Sequence, residues 1–327
     1  MPNRTTQLLV IAGLCLLLLT ALFVSIPSIT ATNAGRLYPL IIAFGTTANR
    51  QLNAPFSLAL DQAGQVYVTD SHNHRVEVFS SQGNLDGTWG GEGSEDGQFQ
   101  YPLGIAADSM GQVYIMDSGN SRIQVFDNKG TTLRKWGSQG NGDGQFYLAE
   151  GMALDSESRV YIADSGNNRI QVFDSQGVLL RKWGSSGSGD GQFRSPRAVA
   201  VDPLGRVYVA DSGNHRIQIF DLGGGFIRKW GTSGSNDGQF QFPIGVTADS
   251  SGYIYVADSG NSRIQVFDTD GNFLYKWGSP GNSDGQLNLP EGVVADSSGR
   301  IYVADSGNNR VQLFELNSSI LKRPNSG

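Results

Sequence analysis

Cysteine and histidine are scarce in this sequence, which contains one cysteine and three histidines in 327 residues. The single cysteine, Cys15, excludes an internal disulfide and a zinc site built from several thiolates. The three histidines, His72, His74 and His215, are too few to make a histidine-based active site a strong hypothesis. The sequence therefore predicts no bound metal and no cofactor.

Positive charge is also in deficit, because 24 lysines and arginines face 30 aspartates and glutamates, which gives a formal net charge of −6. This balance opposes general binding to nucleic-acid phosphates, so we expect no nucleic-acid partner. Charged residues make up only 17% of the chain, and apolar residues alternate with turn formers throughout. The composition indicates a folded chain and not a disordered one.

A long apolar segment without charged residues lies near the N-terminus, at Leu8–Ile26. As a helix it would span roughly 28 Å, which is close to the thickness of a membrane's hydrocarbon core. Its length favours an uncleaved transmembrane anchor, and a cleaved secretory signal is the alternative. Arg4 and the amino terminus would keep residues 1–7 in the cytoplasm. A linker, 27–36, would then lead to a domain on the extracytoplasmic side, or to a secreted domain after cleavage.

One peptide, DSGNSRIQVFD, occurs twice, at Asp117–Asp127 and at Asp258–Asp268. Its first aspartate recurs six times at intervals of 47 residues, and an arginine always follows five positions later. Repeats of 40 to 50 residues with strand-like alternation are typical of β-propellers, in which each repeat forms one four-stranded blade. The recurring pairs are Asp70 and Arg75, Asp117 and Arg122, Asp164 and Arg169, Asp211 and Arg216, Asp258 and Arg263, and Asp305 and Arg310.

Each repeat can be divided into four strands separated by short turns. In the second repeat the strands are GIAAD, QVYIMD, RIQVFD and TLRKWG, and no segment has a helical period. The alternation within QVYIMD predicts a half-buried strand. The fold class is therefore all-β: a six-bladed propeller of four-stranded antiparallel blades, preceded by one N-terminal transmembrane helix.

The last repeat has no obvious outer strand of its own. The segment LYPLIIAFG, at 37–45, precedes QLNAP, which matches QLNLP at Gln286–Pro290. We therefore expect residues 37–45 to supply the missing strand, since an unfinished ring would leave open strand edges. The propeller would then cover 37–316, followed by a tail at 317–327.

The pattern P-x-G-[IV]-A-x-D, followed by [VI]-Y-[VI]-A-D-S-G-N-x-R-[IV]-Q-[VI]-F-D, covers nearly everything from Ala54 to Glu315 and resembles the NHL-repeat family of six-bladed propellers. This resemblance implies the fold but no single activity, because one fold hosts many functions. The family includes a peptide-amidating lyase domain whose zinc-binding histidines stand in Pro-His-Ser-Leu motifs. Here Phe56 takes the place of that histidine, which removes the lyase prediction.

The repeated Asp–Arg motif has a structural interpretation. The aspartate can accept backbone N–H groups of the turn, and the arginine can reach the aspartate across the hairpin. All six blades carry the pair, so if the pair bound a ligand, every blade would be an equivalent binding site. We therefore predict that it builds the hairpins. The repeated Trp-Gly pairs are expected to pack between blades.

The informative positions are those that differ between repeats. We use the name entrance residues for the residues that follow the Pro, or Ala149 in blade three, leading into each innermost strand. Apolar, acidic and basic side chains around a central mouth suit the capture of a ligand. The entrance residues are Phe56, Leu103, Glu150, Arg197, Ile244 and Glu291. Three aromatic residues on the preceding loops, Tyr101, Tyr147 and Phe242, complete the candidate ligand-binding rim.

These observations favour a monomeric binding scaffold that recognises a protein, peptide or glycan through its central face. The alternative is a metal-dependent hydrolase or lyase with a site in the central channel, where Glu150 and Glu291 lie on opposite blades. The constant 47-residue spacing leaves no inserted loop to carry catalytic groups. We therefore expect a binding protein and not an enzyme.

Overall fold

The computed structural model describes residues 40–46 and 51–315. The predicted cytoplasmic end 1–7, transmembrane anchor 8–26, linker 27–36 and tail 317–327 lie outside these residues. Within 40–46 and 51–315 no helix is long and apolar enough to cross a membrane. The described strands form six antiparallel sheets of four strands, which we number as blades one to six in chain order.

Blades one to three occupy the first half of the described chain. Blade one contains β2 (Pro55–Leu60), β3 (Val66–Asp70), β4 (Arg75–Phe79) and β5 (Leu85–Gly90). Blade two contains β6 (Pro102–Ala107), β7 (Val113–Asp117), β8 (Arg122–Phe126) and β9 (Thr132–Trp136). A short parallel pair, β10 (Ser138–Gln139) and β11 (Gln145–Phe146), lies in the connector to the next blade. Blade three contains β12 (Met152–Leu154), β13 (Val160–Asp164), β14 (Arg169–Phe173) and β15 (Leu179–Trp183).

Blades four to six continue the same order. Blade four contains β16 (Pro196–Val201), β17 (Val207–Asp211), β18 (Arg216–Phe220) and β19 (Phe226–Trp230). Blade five contains β20 (Pro243–Ala248), β21 (Ile254–Asp258), β22 (Arg263–Phe267) and β23 (Phe273–Trp277). Blade six contains β24 (Pro290–Ala295), β25 (Arg300–Asp305), β26 (Arg310–Glu315) and β1 (Leu40–Phe44). One-turn 3₁₀ helices join the second and third strands, at Ser71–Asn73, Ser118–Asn120, Ser165–Asn167, Ser212–Asn214, Ser259–Asn261 and Ser306–Asn308.

Blade six combines the two ends of the described chain. Strand β1 pairs antiparallel with β26, so that Phe44 faces Val311 and Leu40 faces Phe314 in the register. Both Leu40 and Phe44 are buried. This strand lies inside segment 37–45, where the sequence places the closing strand, and it gives β26 a neighbour on its outer side.

The core lies between adjacent blades. Tyr67 and Trp89 of blade one belong to the same apolar cluster as Val113 and Phe126 of blade two, and the rings of Trp89 and Phe126 are 6.1 Å apart. The prediction of a half-buried second strand is wrong, because every residue of β7 (Val113–Asp117) is buried. Both faces of a blade are covered by neighbouring blades, so both sides of the alternating pattern lie in the interior.

The innermost strands approach each other closely around the central axis. A β-carbon added to Gly245 would lie 2.2 Å from the carbonyl oxygen of Glu291, and one added to Gly104 would lie 2.4 Å from that of Glu150. Glycine at these positions therefore permits the close approach of neighbouring backbones. The remaining axial channel has a volume of about 210 Å³.

The propeller has two distinct faces. Innermost strands begin on the top face, which also carries the 3₁₀ turns and the connectors between blades. The bottom face carries the hairpin turns that join the first strand to the second and the third to the fourth, such as 108–112 and 127–131 in blade two.

Candidate functional site

The repeated aspartate and arginine form a buried latch beneath the top face. In blade four, the Asp211 carboxylate accepts hydrogen bonds from Arg216 Nε at 2.6 Å and from the Arg194 backbone at 2.8 Å. Arg216 also donates to the carbonyl oxygens of Gly189 and Gln192 in the preceding connector. The pair therefore holds a hairpin and joins it to the connector. Equivalent ion pairs occur at Asp70–Arg75, Asp117–Arg122, Asp164–Arg169, Asp258–Arg263 and Asp305–Arg310.

His74 and His215 each support an aromatic side chain of the following blade, and the ring of His72 packs edge-on against Tyr101 at 5.8 Å. His74 Nδ1 accepts a hydrogen bond from the backbone N–H of Tyr101 at 3.1 Å, and His215 Nδ1 accepts one from Phe242 at the same distance. The rings of each pair pack at 4.7 Å and 4.6 Å respectively. Each histidine therefore supports an aromatic residue of the following blade on the top face.

The residue two places before each entrance residue has a left-handed backbone, with φ between 47° and 50°. Left-handed φ costs an ordinary residue about 1–2 kcal/mol, so the fold imposes this geometry at every blade. Four of these side chains are large and exposed: Tyr101 at 48%, Leu148 at 56%, Phe242 at 54% and Leu289 at 52%. We call the six positions the crown: Ala54, Tyr101, Leu148, Ser195, Phe242 and Leu289.

The structure changes the grouping of the rim residues that the sequence suggested. Tyr101 and Phe242 belong to the crown, whereas Tyr147 lies one position earlier in its repeat. Tyr147 is exposed too, and its backbone N–H donates to Asp164. Sequence reasoning missed Leu148 and Leu289. Aligning the repeats on the aspartate that precedes the 3₁₀ turn would have placed both at the same repeat position as Tyr101 and Phe242.

The entrance residues divide between three environments. Phe56, Arg197, Ile244 and Glu291 line the axial channel. Phe56 and Ile244 are only 8% exposed, so they form part of the wall beneath the top surface. Leu103 lines a separate hollow at the edge of the channel, and Glu150 contacts Arg197. The structure thus brings the charged entrance residues together near the mouth.

Glu150 has an unusual environment. Its Oε2 lies 3.3 Å from Arg197 Nε, yet this oxygen is buried and accepts no hydrogen bond among the described residues. The two groups are close enough for an ion pair but are not oriented for a hydrogen bond. Arg197 therefore offsets only part of the free-energy cost of burying the carboxylate. Burial raises the pKa of Glu150 to about 7, against the opposing effect of Arg197, and the charge of Glu291 adds to the increase.

Glu291 is the second acidic group at the channel mouth. Its Oε2 accepts a hydrogen bond from Ser306 Oγ at 3.0 Å. Burial raises the pKa of Glu291 to about 6, although the hydrogen bond from Ser306 and the charge of Arg197 both act in the opposite direction. When both glutamates are ionised, the group formed with Arg197 carries one net negative charge. Across the described ranges, no group of three or more His, Cys, Asp or Glu side chains is arranged to hold a metal ion.

Six four-stranded antiparallel blades around an axial channel define this protein as a six-bladed β-propeller. The NHL repeat model matches the chain six times, once in each blade, and the chain belongs to the NHL repeat family. The family resemblance predicted from the sequence is therefore confirmed. The matched residues are 52–79, 99–126, 146–173, 193–220, 240–267 and 287–314.

Solved structures of other propellers share this fold at low sequence identity. A streptogramin B lyase aligns with a TM-score of 0.60 and 14% identity, over 84% of this chain and 97% of the other. A gluconolactonase from Xanthomonas campestris aligns with a TM-score of 0.61 and 14% identity, over 81% and 88% of the two chains. An auxiliary nutrient binding protein from Bacteroides thetaiotaomicron gives 0.59 and 13%, over 81% and 69%. These likenesses concern the fold alone. A comparison with curated protein sequences gives no significant match.

Proposed function

We propose that this NHL propeller is a binding protein and not an enzyme, and that a protein or peptide segment docks on its top face. The observation that carries the proposal is the crown, where Tyr101, Leu148, Phe242 and Leu289 are exposed although the residue that follows each of them is buried. Exposed apolar side chains that surround a concave polar centre are typical of recognition sites.

The top and bottom faces of the propeller differ in the large apolar side chains that they expose. On the bottom face, the described large apolar side chains that are exposed are Met110, Val178 and Leu204, each in a hairpin turn. They lie on separate hairpins of blades two, three and four. The top face therefore offers the better-developed recognition surface.

The charges at the channel mouth suggest the chemistry of the partner. Glu150 and Glu291 outnumber Arg197, and burial disfavours both carboxylates in their ionised forms. A positive group would relieve this cost on docking. We therefore propose a partner segment that presents a cationic group between apolar side chains, which would contact the crown.

The sequence expectations for location and assembly form part of the same proposal. The apolar segment 8–26 would anchor the chain in a membrane and place a monomeric propeller on the extracytoplasmic side. If the segment is cleaved, the propeller would be secreted. In either case the partner would be met outside the cytoplasm.

Selection from a displayed random-peptide library with the full-length chain in detergent tests this proposal. We expect recovered peptides to share a lysine or arginine flanked by apolar residues, and to lose binding when Tyr101 and Phe242 are both changed to serine. Recovery of peptides without this pattern, or binding that ignores the double substitution, would reject the top-face site. A screen against immobilised glycans distinguishes sugar recognition.

The alternative of a metal-dependent hydrolase or lyase depends on Glu150 and Glu291, which lie on opposite blades near one end of the channel. Metal analysis of the purified chain separates the two proposals. Stoichiometric zinc or calcium that is retained through purification would favour the enzyme. Binding of selected peptides after treatment with a chelator would favour the binding protein.

A further inference from the structure

The crown is interrupted at two positions, where small residues replace the large apolar ones. Ala54 occupies this position in blade one and Ser195 occupies it in blade four, on opposite sides of the ring. Beside Ala54 the surface opens into a hollow with a volume of about 260 Å³, lined by residues of blades six, one and two. The small side chain at this position leaves the hollow open to the top face.

The hollow combines apolar walls with one carboxylate. Ala54, Phe56, Leu103 and Leu289 provide apolar surface, and Glu291 lies where the hollow meets the axial channel. Ser71, His72, Ser306 and Gly307 complete the lining, in which Glu291 is the one described residue with a carboxylate side chain. The site is therefore suited to a group with an aliphatic stem and a cationic tip.

Glu291 has acceptor capacity that the fold does not use. Ser306 Oγ donates to Oε2 at 3.0 Å, and no residue in 40–46 or 51–315 donates a hydrogen bond to Oε1. A carboxylate group can accept about four hydrogen bonds, so one donor leaves most of its capacity unmet. A cation with several N–H donors would satisfy the remaining acceptor sites.

We propose that the hollow beside Ala54 receives a lysine side chain of the docked partner, with its ammonium group donating hydrogen bonds to Glu291. This inference rests on the proposed docking at the top face and names the group that enters it. Lysine places four methylene groups against apolar surface while its tip carries the charge. A compact ammonium with three donors suits a single carboxylate, whereas a guanidinium needs a planar, bidentate arrangement.

The sequence offers a closely matched pair of variants to test the hollow. Ala54→Leu introduces the residue that Leu148 and Leu289 carry at equivalent crown positions, with the same left-handed backbone. It should fill the opening without a new backbone conformation. Ser195→Leu makes the same change at the opposite gap in the crown and serves as its control.

The probe is Nα-acetyl-lysine methylamide, compared with Nα-acetyl-norleucine methylamide, which has the same apolar stem without the ammonium group. Binding to the full-length chain in detergent is measured by NMR titration. We expect the lysine probe to bind at least about tenfold more tightly than the norleucine probe, since a charge-assisted hydrogen bond is lost in the latter. Ala54→Leu should abolish binding, and Ser195→Leu should leave it unchanged.

Glu291→Gln keeps the shape of the side chain and removes its charge, and should weaken the lysine probe about tenfold. Glu95→Gln, in an exposed connector, makes the same charge change elsewhere and should have no effect. Equal binding of the two probes, or full binding by Ala54→Leu in a chain of unchanged melting temperature, would overturn the lysine assignment. If selected peptides still require Tyr101 and Phe242 in that case, top-face docking stands. If the lysine probe binds but no peptide depends on the crown, the docking proposal fails instead.

Discussion

Arg197 Nε lies 3.3 Å from Glu150 Oε2, across the boundary between blades three and four. This oxygen is buried and accepts no hydrogen bond from the described residues, so the ion pair compensates only part of the cost of burying the carboxylate. Burial accordingly raises the pKa of Glu150 from 4.5 to about 7. The ionised carboxylate of Glu150 at the channel mouth therefore lowers the free energy of unfolding.

The first prediction concerns the pH dependence that Glu150 gives to folding. Below pH 4.5 the carboxyl is protonated in both states and contributes nothing. Between pH 4.5 and about 7 the unfolded chain ionises first, so the free energy of unfolding falls as pH rises. Glu150→Gln should therefore stabilise the fold by on the order of 2 kcal/mol at pH 8 and hardly at all at pH 4.5. Denaturant unfolding at both pH values measures this, and an equal effect at both would contradict it.

The second prediction concerns the buried latch. Asp211 accepts hydrogen bonds from the side chains of Asn214, Arg216 and Gln218 and from the Arg194 backbone. Asp211→Asn replaces one acceptor oxygen with a donor and removes the charge opposite Arg216. We expect a loss of about 3 kcal/mol in the free energy of unfolding, measured in urea.

The control for the latch is Asp190→Asn, which disturbs only an exposed ion pair with Lys229. An exposed pair of this kind contributes less than about 1 kcal/mol. Similar losses for the two variants would show that the repeated aspartate has no special structural role.

The third prediction concerns ring closure by β1 (Leu40–Phe44). Phe44 is buried and its ring lies 4.9 Å from that of Phe79 in blade one, whereas Ile41 on the same strand is exposed. Phe44→Ala should lower the free energy of unfolding by about 3–5 kcal/mol, and Ile41→Ala should have a much smaller effect. Thermal melting of both variants tests this. Equal melting temperatures would mean that β1 does not fasten the ring.

The fourth prediction concerns the spacing of the innermost strands. Gly245→Ala would place a β-carbon 2.2 Å from the carbonyl oxygen of Glu291, so the neighbouring strand must move. We expect destabilisation of about 1–3 kcal/mol. Gly87→Ala, on the outer strand β5 (Leu85–Gly90), meets no atom closer than 3.8 Å and should be tolerated. Tolerance of both substitutions would show that the channel can widen without cost.

Much of the fold could be predicted from the sequence because the same pattern of residues is repeated six times. The 47-residue interval, the alternating strands and the Asp–Arg pairs each appear six times, so every error in one repeat can be checked against the others. The degree of burial was harder to predict. The alternation of apolar and polar residues in β7 (Val113–Asp117) indicates one solvent-exposed face, but packing between blades buries both faces.

The candidate site was less predictable, because its geometry depends on contacts between blades. The sequence singled out Glu150, Arg197 and Glu291 as non-repeating residues. It could not show that Glu150 and Arg197 meet, since 47 residues separate them in the chain. The hollow beside Ala54 was also hidden, because its walls come from blades six, one and two. The sequence feature that could have pointed to the hollow is alanine at position 54, where four other repeats carry a large apolar residue.

The proposed function depends on binding of the partner by the crown on the top face. The most direct measurement compares the affinity of a selected peptide for two double variants, Tyr101→Ser with Phe242→Ser on the top face and Met110→Ser with Leu204→Ser on the bottom face. Each pair removes two large exposed apolar side chains. We predict that the top-face pair weakens binding at least about tenfold, while the bottom-face pair leaves the affinity unchanged. Loss of affinity in the bottom-face pair alone, or in neither pair, would show that the crown is not the docking site.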